Sequence, residues 1–265
     1  MSTPFTDKMI VEKESGIGWM IFNNPAKHNA VSLEMWEAVP KILDDFMADD
    51  AVRVIVLRGA GDRAFVSGAD ISEFEAKRSS AEATKIYNAA GDRAGTGLQN
   101  VGKPTICMIQ GYCIGGGVSI AMSCDLRIAA ENAKFGVPAA KLGLGYGATG
   151  IKKLMDAVGP SFAKEIFFTA RQFTAQEALA MGWINRVLPT AQLEPYVREY
   201  AGTIAANAPL TVRAVKTIVG QLIKDESKRD TELMQRVVDT CFASEDYKEG
   251  RTAFMEKRKP QFKGR

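Results

Sequence analysis

Apolar and polar positions along this 265-residue chain switch repeatedly between a period of two and a period near 3.6. Residues 9–14 and 19–23 are β-rich runs joined through Ser15-Gly16-Ile17-Gly18, which predicts a hairpin. Behind Ser32, Met35, Val39, Leu43 and Met47 recur at every fourth position, so a helix with one apolar stripe and Ser32 as its N-cap is predicted. Pro40 inside that stripe predicts a kink or an early stop. Residues 52–57 (VRVIVL) are the strongest strand signal, ended by Arg58-Gly59-Ala60-Gly61-Asp62 and followed by a second glycine-bearing loop over residues 66–70. A helix is expected over about residues 81–98, a buried strand over 104–110, a helix over 118–123 and a strand over 126–129. This β, α, β, α alternation predicts an α/β fold.

From Lys152 onward the periodic segments are helical except residues 183–188. Thr174-Ala175-Gln176-Glu177 is a capping box that opens one helix, and Gly182 ends it. Helices are expected over residues 193–206, 210–224, 230–243 and 245–257, so the chemistry is expected in the α/β part, with a helical C-terminal region attached.

Composition narrows the class. With 46% hydrophobic and 25% charged residues the chain is globular rather than disordered or collagenous. A net charge of +3 is too mild for a dedicated nucleic-acid binder, so no nucleic-acid partner is expected. No apolar run approaches the roughly 18 residues of a membrane span, so no membrane partner is expected. Asp7, Lys8, Glu12 and Lys13 stand where a signal peptide needs an apolar stretch, which points to the cytoplasm. Cys107, Cys113, Cys124 and Cys241 at irregular spacing, with a single histidine, predict buried reduced thiols and no metal site.

Two glycine patterns compete for attention. Residues 145–150 (GYGATG) match the spacing GxGxxG, but residues 139–143 before it make a poor strand and Glu165 lies in a helical stretch, so no nucleotide cofactor is expected. His28 follows Lys27 in a polar turn and no GxSxG elbow exists, which places it at the surface or a ligand edge. Gln110-Gly111-Tyr112-Cys113-Ile114-Gly115-Gly116-Gly117 is the stronger signal, because it runs from a buried strand directly into a helix. Consecutive glycines admit close backbone approach, and a helix N-terminus offers unpaired N–H donors and positive potential. The loop Phe65-Val66-Ser67-Gly68-Ala69-Asp70 is positioned to bring a further N–H to the same point, an oxyanion-binding arrangement.

At these two loops the sequence resembles the crotonase superfamily, the enoyl-CoA hydratase/isomerase family. The resemblance runs from residues 24–30 (NPAKHNA) through 67–71 (SGADI), 111–125, 135–138 (FGVP) and 143–150 to 254–260 (FMEKRKP), covering nearly the whole chain in order. It implies a crotonase-like spiral of ββα units over residues 1–190, binding acyl-CoA, and a helical trimerisation region over residues 191–265 that also covers CoA and the active site. A homotrimer or dimer of trimers is implied. By motif position Ala69 and Gly116 would donate the oxyanion-hole N–H groups; Lys27, Ser67, Gly68, Asp70 and Ile71 would bind CoA, with Phe254 and Lys257 reaching it from the C-terminal helix. Coenzyme A enters as part of the substrate and no separate cofactor is implied.

The sequence also departs from the family. Hydratases of this kind carry one glutamate two residues after the third glycine, where Ser119 stands, and a second after Phe-Gly-x-Pro, where Ala139 stands. Each general acid or base contributes about 10² to 10⁴ in rate, so ordinary hydration is expected to be weak. The polar candidates nearby are Ser119, Tyr146 and Cys113, with Lys141 behind them. Three readings follow: a CoA-thioester lyase with a different acid/base set, an acyl-CoA decarboxylase or isomerase using Tyr146 or Ser119, and a non-catalytic acyl-CoA-binding homologue.

Overall fold

The computed structural model describes residues 5–70 and 81–265. Strands β1 (Met9–Glu14) and β2 (Ile17–Phe22) form the hairpin, closed by Ser15 and Gly16 alone, both at positive φ. The turn is shorter than the sequence suggests because Gly18 belongs to the strand, where a methyl group would lie 2.9 Å from the Phe46 ring. Helix α1 (Leu33–Ala48) starts at Ser32, whose hydroxyl accepts from the Met35 N–H. Pro40 does not end it, so of the two expectations the early stop is not met. Buried Val39, Ile42, Leu43 and Phe46 flank the proline, so tertiary packing carries the helix past one missing hydrogen bond.

Three chain segments then repeat one plan. Strand β3 (Val54–Gly59) passes to β4 (Ala64–Val66) and later to helix α2 (Ala81–Asn100); β5 (Thr105–Ile109) passes to β6 (Tyr112–Ile114) and α3 (Gly116–Ala121); β7 (Leu126–Ala130) passes to β8 (Lys134–Gly136) and α4 (Ala148–Thr169). The first strand of each pair joins a six-stranded sheet in the order β1-β2-β3-β5-β7-β10, and the second joins a four-stranded sheet β4-β6-β8-β9. Here β9 is Phe173–Thr174 and β10 is Arg186–Leu188. All pairings are parallel except β1 with β2 and β8 with β9. This is the expected α/β spiral of ββα units.

Several local expectations need correction. The glycine-rich segment after β5 does not run directly into a helix, since β6 intervenes. Residues after Lys152 also contribute β9, and the strand expected over 183–188 begins only at Arg186, because Trp183 is buried against Phe135 and Phe173. The capping box is present in full at the start of α5 (Ala175–Ala180).

The main core lies between the sheets and helices α1 to α5, centred on Phe22, Met35, Phe46, Phe65, Phe135 and Trp183. On the other face of the large sheet, α6 (Thr190–Ala205) packs Leu193, Val197 and Ala201 against Trp19, Val56 and Ile106. Strand β4 is crowded by glycines: a methyl group on Gly59 would stand 2.1 Å from the Ala64 carbonyl oxygen, and one on Gly111 2.0 Å from that of Arg63.

Helices α7 (Pro209–Leu222), α8 (Thr231–Ala243) and α9 (Glu245–Met255) complete the C-terminal region. Lys216 ties α7 to the sheet through the Asp125 carboxylate at 2.8 Å. Helix α8 buries no residue within the chain, and Val219, Ile223, Phe242, Phe254 and Met255 are exposed. Cys107, Cys113 and Cys124 are buried free thiols, whereas Cys241 is half-buried. Among the described residues, no helix is long and apolar enough to cross a membrane.

Candidate active site

The two loops singled out above meet. Ala69 lies beside Val31 in a parallel bridge: the Val31 N–H donates to Gly68 O at 2.8 Å and the Asp70 N–H donates to Val31 O at 3.1 Å. Those two bonds leave the intervening Ala69 N–H unengaged among the described residues. Gly116 is the first residue of α3, where no preceding turn supplies a helical acceptor, and its N–H is likewise unengaged among them. A methyl group on Gly116 would lie 3.6 to 3.7 Å from Gly68 backbone atoms and 3.4 Å from Cζ2 of Trp36. At Gly117 a methyl would stand 2.2 Å from the Val66 carbonyl oxygen, so only glycine permits α3 to seat against β4.

Lys27, Ser67, Gly68 and Asp70 form one cluster next to this point. The Lys27 ammonium contacts both Asp70 carboxylate oxygens, at 2.9 and 3.2 Å, and Asp70 is only 4% exposed. The Ser67 hydroxyl donates to Lys27 O at 3.3 Å and its N–H to His28 O at 3.1 Å. Asn29, fully buried, organises the turn: its amide donates to Ala60 O and Ala64 O while its side-chain oxygen accepts the Asn24 N–H. His28, half-buried at φ 52°, sets its ring edge against Tyr112 at 6.0 Å. Ile71 lies outside the described residues.

Phe254 and Lys257 stand at the end of α9, and Phe254 is 83% exposed. Among the described residues no hydrogen bond, ion pair or ring contact joins either one to Lys27 or to the Ser67–Asp70 loop.

On the far side of the glycine turn, Ser119 Oγ and Tyr146 Oη are 3.2 Å apart. Ser119 comes from α3 and Tyr146 from the turn before α4, where its ring packs edge-on to Phe167 at 4.9 Å and over Gly150. Burial pushes the Tyr146 phenol above its ordinary value, opposed by the bond to Ser119. Ala139 is buried in the 3-10 turn Pro138–Leu142, which ends at Gly143 with φ 62°. Cys113 is buried and burial drives its thiol far up, so it offers neither thiolate nor base. Lys141 points to solvent.

Behind Ser119 is a pair that sequence reasoning missed. Ser123 Oγ donates to Ser119 O at 2.8 Å, and Lys153 Nζ donates to Ser123 Oγ at 3.0 Å, with burial lowering the lysine's proton affinity. The i, i+4 spacing of the two serines was the available signal. Residues 145–150 follow a 3-10 turn rather than a strand.

Residues 12–265 match the family described as enoyl-CoA hydratase/isomerase. The chain is 37% identical over 260 residues to the crotonyl-CoA hydratase of Syntrophomonas wolfei, covering 97% of this chain and 98% of that one. It is 35% identical over 260 residues to the short-chain-enoyl-CoA hydratase of Clostridium acetobutylicum, covering 98% and 99%. Among solved structures, an enoyl-CoA hydratase/carnithine racemase from Magnetospirillum magneticum superposes with a TM-score of 0.93 at 34% identity, covering 98% of this chain and 97% of that one.

Proposed function

The chain belongs to the enoyl-CoA hydratase/isomerase family of the crotonase superfamily, and from that premise we propose that it is a CoA-thioester lyase working without the family's usual carboxylate pair. The Ala69 and Gly116 N–H groups hold the thioester oxygen as negative charge develops on it. Fixed donors in a water-poor site need no reorganisation as that charge appears, and one such donor is worth about 3 to 4 kcal/mol. Lys27 and the Ser67–Asp70 loop hold CoA, with Ile71 following in the same motif, and Phe254 and Lys257 cover it.

The observation that carries the reading is the contact between Ser119 and Tyr146. Ala139 has no side-chain polar atom, and a serine hydroxyl whose neighbour is a protonated phenol is a poor base near neutral pH. Two hydroxyls are hydrogen-bond donors and suit an anionic group on the substrate.

That favours a second, narrower reading, decarboxylation of an α-carboxyacyl-CoA of the malonyl type. The bond between the α-carbon and the carboxylate breaks, its electron pair forms the enolate held by the two N–H groups, carbon dioxide leaves, and a proton returns to the α-carbon. No strong base is required. The isomerase and the non-catalytic acyl-CoA-binding readings lack an observation of this kind.

The test compares crotonyl-CoA hydration with turnover of a malonyl-type CoA. We expect slow hydration in the wild type, turnover of the malonyl-type thioester, and hydration raised by orders of magnitude in Ser119→Glu/Ala139→Glu, each single change giving less. Wild-type hydration at roughly 10² per second would overturn the proposal.

A further inference from the structure

A cleft of about 580 Å³ opens on the face of the large sheet opposite the acyl-CoA site, between the ends of β3 and β5 and the start of α6. Arg58 projects into it. Its neighbour Leu57 faces the main core, whereas Arg58 shares the side of Val54, Val56 and Trp19. Two guanidinium groups flank the Trp19 indole there, with opposite circumstances. Arg198, 4.6 Å from the ring centre, is paired with Glu14 and Glu194. Arg58, 5.9 Å away, makes no hydrogen bond or ion pair among the described residues, and its Nε is buried without a partner.

Buried donors on a charged group are expensive to leave unmatched, and those that persist call for an explanation. The rest of the cleft indicates one. The Gln110 amide and the Thr190 hydroxyl add further donors, and Met108 and Pro195 give apolar surface. Glu194 also lines the cleft, but its carboxylate is already taken by Arg198.

We propose that this cleft binds a small organic anion, an oxyanion head group on an apolar body, with Arg58 as its principal partner and Gln110 as its second. A guanidinium offers paired donors that match the oxygens of a carboxylate or phosphate. The occupant would rest against the roots of both active-site loops, since Ala64 and Phe65 lead into Ser67–Asp70 and Gln110 leads into the glycine turn.

The test is calorimetric titration of the full-length protein at constant ionic strength, with butyrate and inorganic phosphate in separate arms. It requires no turnover, so its outcome is independent of the acyl-CoA reading. At least one probe is expected to bind with a dissociation constant of roughly a millimolar or below, at least tenfold (about 1.4 kcal/mol) weaker in Arg58→Gln and less so in Arg58→Lys. Butyrate alone identifies a carboxylate head group, and phosphate alone a phosphate ester. Gln110→Ala, at a half-buried side chain, weakens binding even where Arg58→Gln does not fold. Saturable binding of neither probe, or binding unchanged by the arginine and glutamine substitutions, overturns the proposal.

Discussion

The hydroxyls of Ser119 and Tyr146, 27 positions apart in the chain, stand within hydrogen-bond distance at 3.2 Å, one from the helix that begins with Gly116 and the other from the turn before α4. Because burial raises the phenol above its ordinary value of 10, Tyr146 keeps its proton across the neutral and mildly alkaline range and serves as a donor. Tyr146→Phe is expected to lower turnover of the accepted acyl-CoA by about 10² at little change in KM. The pH–rate profile of the wild type should show no alkaline fall below pH 10 from this group, and such a fall, absent in Tyr146→Phe, would refute the assignment.

Gly116→Pro removes the N–H proposed to hold the thioester oxygen. Loss of one such donor costs about 10² to 10³ in turnover. Proline is tolerated at the first position of a helix, where the lost N–H has no helical partner, and the comparison is made with Gly117→Ala, which keeps every N–H but drives a methyl group into the Val66 carbonyl. Both are expected to lose activity. Only Gly116→Pro should keep the wild-type melting temperature within a few degrees, a separation read by differential scanning calorimetry.

The long elements were legible because they repeat a period often enough to be recognised: α1, α6 and the C-terminal helices lie within a few residues of where their apolar spacing puts them. Strands β4, β6, β8 and β9 are two or three residues long, too short to display any period, and exist through pairing between distant segments. The glycine run and the Ser67–Asp70 loop could be picked out by composition. Their contact depends on the ββα winding, and the Lys153–Ser123–Ser119 chain depends on α4 lying against α3. Neither is a local property.

Lys27 is half exposed and already paired with buried Asp70. Lys27→Ala is therefore expected to weaken CoA binding by a modest factor, about threefold to tenfold at low salt, with the difference shrinking as ionic strength rises. Equal affinities of the two proteins at low ionic strength would remove Lys27 from the CoA site.

Helix α8 and the exposed Val219, Ile223, Phe242 and Phe254 leave an apolar face that one chain does not cover. Sedimentation at micromolar concentration should give a trimer or a dimer of trimers of the 28.8 kDa chain, and Val219→Asp with Phe242→Asp should shift it toward smaller species. A monomer in the wild type contradicts the expectation.

The Thr174 backbone N–H of the capping box, followed by Arg171 and the Thr174 hydroxyl, holds the Glu177 carboxyl at about 2, below the ordinary 4.5. A lowered folded-state value means stabilisation that is complete above 4.5 and lost as pH falls toward 2. The side chain is 38% exposed, so solvent screening keeps the effect small. Glu177→Gln should cost about 0.5 to 1 kcal/mol in urea unfolding at pH 7, and the two proteins should converge as pH falls toward 2.

The carbonyls of Arg63, Ala64 and Val66 each face a glycine from another segment: Gly111, Gly59 and Gly117. The strand that leads to Ala69 is thus gripped along its length by neighbours that can gain no side chain. On the proposed reading, substitutions that alter which thioesters are accepted are expected away from that strand, at Ser119, Ala139 and Tyr146. The chemistry of the scaffold can drift there while the distance between its two amides stays fixed.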